Sequence, residues 1–153
     1  MLLAALALAA APLSPALKPL EFLASHCWRT TLKEGPTDTH CFSVMPDGRL
    51  RDAHKVRQGG QVVYTGESVF SVESGIIHYR YDGSTGAKLE GPMHAADGKI
   101  IFDDVDKTGT DTFWRQVDGS HYEDVTIATP AAPPELASFN ERKLFELVPD
   151  EQP

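Results

Sequence analysis

Turn signals recur through the chain. "KEG", "MPDG", "GG" at 59–60, "ESG", "DGSTG", "ADG", "KTG" and "VDGS" follow one another between residues 33 and 120, at the spacing of roughly 8 to 12 residues that marks an all-β chain of hairpins. Glycine supplies the positive φ that such tight turns demand. Between the turns lie short alternating or β-rich segments, and no helical apolar period is sustained. Strands are predicted at roughly 26–32, 37–45, 49–57, 61–71, 76–81, 87–94, 99–104, 110–117, 120–128 and 141–148. About ten strands joined by hairpins form an up-and-down antiparallel meander, which closes into a barrel because closure removes exposed edges. The one long break, "TPAAPPELASFN", holds three prolines and reads as a loop before the last strand.

The N-terminal run "MLLAALALAAAPLSPA" is uncharged and rich in Leu and Ala, and the small residues Ser14 and Ala16 flank a signal-peptidase-like site. Residues 1–16 are therefore expected to be a signal peptide, with a single β-barrel domain over 17–148 and a tail at 149–153. A disordered or buried N-terminal segment is the alternative, since no Lys or Arg stands near Met1. The run is shorter than the ~20 apolar residues a membrane helix needs. A secreted or periplasmic protein without a membrane span is the expectation. The net charge of −8 argues against nucleic acid or anionic membrane as partner, and Asp52 interrupts the one basic run, "RLRDAHKVR".

The two cysteines, Cys27 and Cys41, flank the first hairpin. A three-residue loop, Lys33-Glu34-Gly35, pairs residues whose numbers sum to 68 and sets Cys27 opposite Cys41. A disulfide there closes a loop of about 15 residues and stabilises by on the order of 3 kcal/mol in the chain-entropy view. Export favours it. A metal-binding or catalytic cysteine pair is the alternative, and no CxxC motif supports that. Side chains alternate along a strand, so Trp28, Thr30 and Leu32, with Asp38, His40, Phe42 and Val44, share the opposite, apolar face. That face is the predicted interior.

"MPDG" suits a type I turn with Gly48 as a bulge residue and pairs residues summing to 94, which sets His54 opposite His40. Trp28, His40 and His54 then form a row across three strands, flanked by Asp38 and Asp52. The loop "QGGQ" permits several registers for the fourth strand. One turns Glu67 inward beside the histidines, another Tyr64 and Phe70. Three readings of the row stay open: satisfied interior polar groups, a metal site completed by a carboxylate, or acid–base chemistry. No nucleophile or oxyanion site is recognisable, so no catalytic residue is assigned. Two histidines with an unplaced carboxylate are an incomplete metal set, so no metal is expected.

Farther on, "HYRYDGSTG" puts Tyr79 and Tyr81 on one face and His78 and Arg80 on the other. Trp114 and Arg115 alternate likewise, and Tyr122 is expected to pack across to the eighth strand. "FDDVDKTGTD" has four aspartates within nine residues but lacks the order of a calcium loop, and reads as a solvated turn.

"LEFLASHCW" followed by "THCF", with Trp28 early on the first strand, resembles the start of calycin barrels, the group of lipocalins, fatty-acid-binding proteins and nitrobindin-like proteins. The ten-strand count is most similar to the last two. This resemblance implies a barrel holding one small hydrophobic or amphipathic molecule, Trp28 plugging the closed end, and a clamp on a ligand carboxylate if Arg80 points inward. The haem-binding branch uses a histidine near the C-terminus, and this chain has none after His121, so no cofactor is expected. The candidate ligand-binding set is Trp28, Asp38, His40, Phe42, Asp52, His54, Glu67, Arg80 and Trp114. A binding barrel is the leading expectation. A His/Asp enzyme or metal protein and a filled structural barrel are the alternatives.

Overall fold

A computed structural model of the chain describes residues 11–103 and 109–153. Ten strands, β1 Cys27–Thr31, β2 Thr37–Val44, β3 Leu50–Gln58, β4 Gln61–Glu73, β5 Ile76–Gly83, β6 Lys88–Ala96, β7 Lys99–Phe102, β8 Thr110–Gln116, β9 His121–Ala128 and β10 Asn140–Leu147, each pair antiparallel with the next. β10 returns to β1, and the barrel is closed. The meander read from the turn signals is the observed architecture. Part of the acidic stretch after Phe102 lies outside the described residues, as does most of the expected signal peptide. No helix among the described residues is long and apolar enough to cross a membrane.

The two N-terminal hairpins adopt the predicted registers, with Cys27 opposite Cys41 and His40 opposite His54. β3 and β4 turn through Gly59 and Gly60, both at positive φ, as a two-residue hairpin requires. Gln58 pairs with Gln61 and Arg57 with Val62, but Val56 pairs with Tyr64. Val63 is therefore the extra residue of a β-bulge. Beyond a bulge every side chain of the strand changes face. Tyr64, Gly66, Ser68 and Phe70 turn inward, and Glu67 turns out to solvent, where Arg51 meets it at 2.5 Å. Of the registers the sequence permitted, this one buries Phe70 in place of a carboxylate.

One end of the barrel is closed by a segment that carried no strand pattern. Pro15–Leu20 forms a 3-10 helix, and turns of the same kind continue through Leu23 N–H to Leu20 C=O and Ala24 N–H to Glu21 C=O. Three residues per turn bring Leu17, Leu20 and Leu23 to one face. All three are completely buried against Trp28, Leu50, Phe70 and their neighbours. Phe22 meets the edges of Trp28 and Tyr122. The boundary expected at residue 16 falls inside this helix, and upstream of it Leu13 packs on the core while Ser14 N–H bonds the Gly48 carbonyl. The disulfide lies on the outer wall as predicted. Cys27 is nonetheless buried, since Val148 N–H bonds its carbonyl and the tail returns past it to set Glu151 against Arg29.

Two stability outcomes follow from this packing. Leu20→Ala removes a completely buried side chain from the plug and should cost about 2–5 kcal/mol in urea denaturation, while Val63→Ala at the exposed bulge changes little. Replacing both cysteines by alanine should cost about 3 kcal/mol, read as a lower urea midpoint with an otherwise native spectrum.

Candidate functional site

β2 and β3 carry the site. Alternation points Asp38, His40 and Phe42 of β2 and Leu50, Asp52 and His54 of β3 into the barrel, and the register sets the two histidines face to face. Their rings stack 4.2 Å apart with 14° between planes. Phe145 of β10 closes on His40 edge-on at 5.3 Å.

A chain of polar groups runs through these residues. His40 Nδ1 lies 2.7 Å from Asp52 Oδ2, and His40 Nε2 lies 3.4 Å from Asp38 Oδ1. His54 Nε2 approaches the same Asp38 oxygen to 2.6 Å. On its far side His54 Nδ1 lies 3.4 Å from the Tyr81 hydroxyl, which bonds the Tyr64 hydroxyl in turn. The tyrosines reach inward because the residues under them are glycines. A Cβ on Gly66, opposite His54, would overlap the Tyr81 ring, and one on Gly83 would overlap the Tyr64 hydroxyl.

The contact between Asp38 and His54 is close but is not aligned as a hydrogen bond. Asp38 Oδ1 and His54 Nε2 are both buried without a hydrogen-bond partner, as are Asp52 Oδ1 and Trp28 Nε1. Unpartnered buried polar atoms are costly, and native chains keep few of them. Burial works against charge on His40, yet the Asp52 and Asp38 carboxylates outweigh it and hold the imidazole up to about 10. Burial likewise pushes the Asp38 carboxyl upward, but the adjacent His40 and His54 rings hold it well below the usual carboxylate range. Desolvation raises Tyr81 and Tyr122 above the ordinary phenol range.

The remaining sequence candidates separate into two groups. Trp28, Phe42 and Trp114 point inward but are buried among aromatic rings, with Trp114 edge-on to Phe102 at 4.8 Å and Trp28 edge-on to Tyr122 at 5.3 Å. They form a packed floor. Glu67 and Arg80 stand outside. Arg80 reaches Glu73 at 3.2 Å and Glu90 at 3.3 Å, because its neighbours Tyr79 and Tyr81 take the inner face. Asp124 is an interior carboxyl that the sequence reading did not single out. It pairs with Trp114 and Lys143, and burial raises its carboxyl above the usual range. Its position two residues after Tyr122, on the same face, was the available signal.

No protein-family model matches the sequence, and no curated protein matches it. The closed ten-strand antiparallel barrel is consistent with a calycin-like fold.

Two of the shifted groups, His40 and Asp38, shape the pH profile of the metal-free protein, and the Asp124 carboxyl, raised by burial, adds to the loss of stability as pH rises. His40, raised on folding, contributes stability that is complete below its unfolded value near pH 6.5 and is lost as pH climbs toward about 10. Asp38, lowered on folding, contributes above its unfolded value of about 3.9 and loses that contribution on acidification. With chelator present, the melting temperature should be highest between about pH 4 and 6.5 and decline on either side. His40→Gln should reduce the alkaline decline, and an unchanged alkaline limb in that variant would contradict the assignment.

Proposed function

We propose that this chain is an exported barrel that binds one small amphipathic molecule at the seam between β1 and β10. The observation that carries the reading is the shortness of that seam. β10 pairs with β9 through seven residue pairs, but with β1 only through Trp28 opposite Leu147 and Arg29 opposite Glu146. Past Arg29 the strands part around a cleft of about 950 Å³, within the range of small-molecule sites. Leu32, Pro36 and Leu144 supply apolar surface there, and Lys33, Arg142 and Lys143 supply three cations against the carboxylates of Glu34 and Glu141. Such a lining suits a short apolar body with an anionic end. The packed aromatic floor supports a ligand held at the wall and open end, not a long chain threaded past Trp28.

Export is supported by the apolar N-terminal run and by the disulfide, a bond that persists outside reducing compartments. Because Leu13 and Ser14 pack on the barrel, we place processing upstream of Leu13 instead of after Ala16. Intact mass of the protein recovered from the periplasm or medium tests this. A mature chain beginning at residue 17 would contradict the placement, and an unprocessed cytoplasmic chain would contradict export.

The binding reading is tested by titrating a fluorescent medium-chain fatty acid into the purified protein. Leu144→Asp puts a carboxylate in the cleft and should weaken binding about tenfold or more, whereas Leu89→Asp on β6 should not. Equal affinities for the two variants, or no binding by the parent protein, would reject the seam as the site.

A further inference from the structure

We propose that Asp38, His40 and His54 form a site for one divalent transition metal, with Nε2 of each histidine and a carboxylate oxygen of Asp38 as its ligands. This goes beyond the seam reading and does not rest on it. Each of the three residues presents a ligand atom, and these atoms all lie within 4.8 Å of one another. With metal–ligand bonds of about 2.1 Å, adjacent ligand atoms in tetrahedral or octahedral sites stand about 3.0–3.4 Å apart. The Asp38 oxygen lies 3.4 Å from His40 Nε2, at the upper end of that interval, and 2.6 Å from His54 Nε2, below it. Stacked rings aim their lone pairs side by side, so binding one ion requires the two imidazoles to splay apart until both Nε2 atoms point at it.

Two further observations separate this cluster from an ordinary buried ion pair. The first is that two of the atoms the metal would take, Asp38 Oδ1 and His54 Nε2, are buried 2.6 Å apart out of hydrogen-bond alignment, with the Asp38 side chain only 8% exposed. A cation between them would satisfy both. The second is the outer arrangement. A ligating histidine commonly holds its other ring nitrogen on a carboxylate or another polar group, which fixes the tautomer and the aim of the ring. Here His40 Nδ1 is held by Asp52 at 2.7 Å and His54 Nδ1 faces the Tyr81 hydroxyl at 3.4 Å. Both rings are thereby left with Nε2 toward Asp38.

The charge balance agrees with a dication. Asp38 and Asp52 bring two carboxylates into a buried site, and a dication displacing the proton of His40 would compensate both. Two imidazoles and one carboxylate suit zinc, cobalt, nickel or ferrous iron better than magnesium or calcium, which prefer all-oxygen shells. Three protein ligands leave at least one position for water or another small ligand.

The test uses the full disulfide-bonded chain, stripped with chelator and titrated with Co²⁺ and Zn²⁺. One equivalent of Co²⁺ should bind with visible absorption of a low-symmetry site, Zn²⁺ should displace it, and the melting temperature should rise with either ion. Asp38→Asn and His54→Gln should each weaken binding at least a hundredfold, and Asp52→Asn about 10–100-fold, the range for loss of an outer partner. His94→Gln and His121→Gln, which break the exposed histidine pairs with Asp103 and Asp118, should leave binding unchanged. Because interior variants can misfold, nitrogen NMR of the parent protein supplies a second readout, in which Zn²⁺ must move the Nε2 resonances of His40 and His54 and spare those of His94 and His121. Absence of binding at micromolar metal, or binding that moves only the exposed histidines, would overturn the proposal.

Discussion

The pairing of Cys27 with Cys41 sets the parity on which the rest of the barrel depends. Once those two positions face outward, alternation sends Trp28, Asp38, His40 and Phe42 inward, and each hairpin passes that choice to the next strand. The Gly48 turn hands it to Asp52 and His54. At the third hairpin the bulge at Val63 reverses what a plain two-residue turn would give, and Tyr64, Gly66 and Phe70 come inside in place of Glu67. Without that single extra residue a third carboxylate would face the histidines, and Phe70 would be on the surface.

The interior that results is divided along the barrel axis. Toward the plugged end, Leu17, Leu20, Leu23, Trp28, Phe42, Phe70, Trp114 and Tyr122 fill the lumen with contacts between rings and aliphatic chains. Each fully buried large apolar side chain contributes about 1.5–3 kcal/mol, so this floor is where the fold gains most of its stability. Above it, Asp38, Asp52, His40 and His54 act through charge, since the attraction between carboxylates and imidazoles outweighs the desolvation that burial imposes on His40 and Asp38. The packed floor also explains why the aromatic candidates line no space of their own, while polar atoms gather above them.

Much of this was legible in the chain. The ten strands, the disulfide and the Trp28–His40–His54 row all follow from short hairpins whose loop lengths leave one register. The role of Leu17, Leu20 and Leu23 was not. Their spacing of three residues is visible in the sequence, but a 3-10 stripe means little until a barrel end exists for it to cover. Glu67 and Arg80 were left open or assigned by resemblance, and both went outside because tyrosine, phenylalanine and glycine neighbours had the stronger claim to the interior. Asp124 came to the interior on β9 opposite Trp114, from a part of the chain distant from the histidines in sequence.

What the sequence by itself determined is therefore local. Glycines at turns, alternation between them and two cysteines at opposed positions specify strands, hairpins and which face of the first three strands looks inward, because those depend on backbone sterics and loop length alone. Only the tertiary structure decided the bulge at Val63, the leucine plug, the brief β1–β10 seam and the approach of Asp38 to both histidines. Each of these is a competition between residues far apart in the chain for the same enclosed volume, and the outcome depends on how much apolar surface is buried and which polar atoms find partners once the barrel has closed.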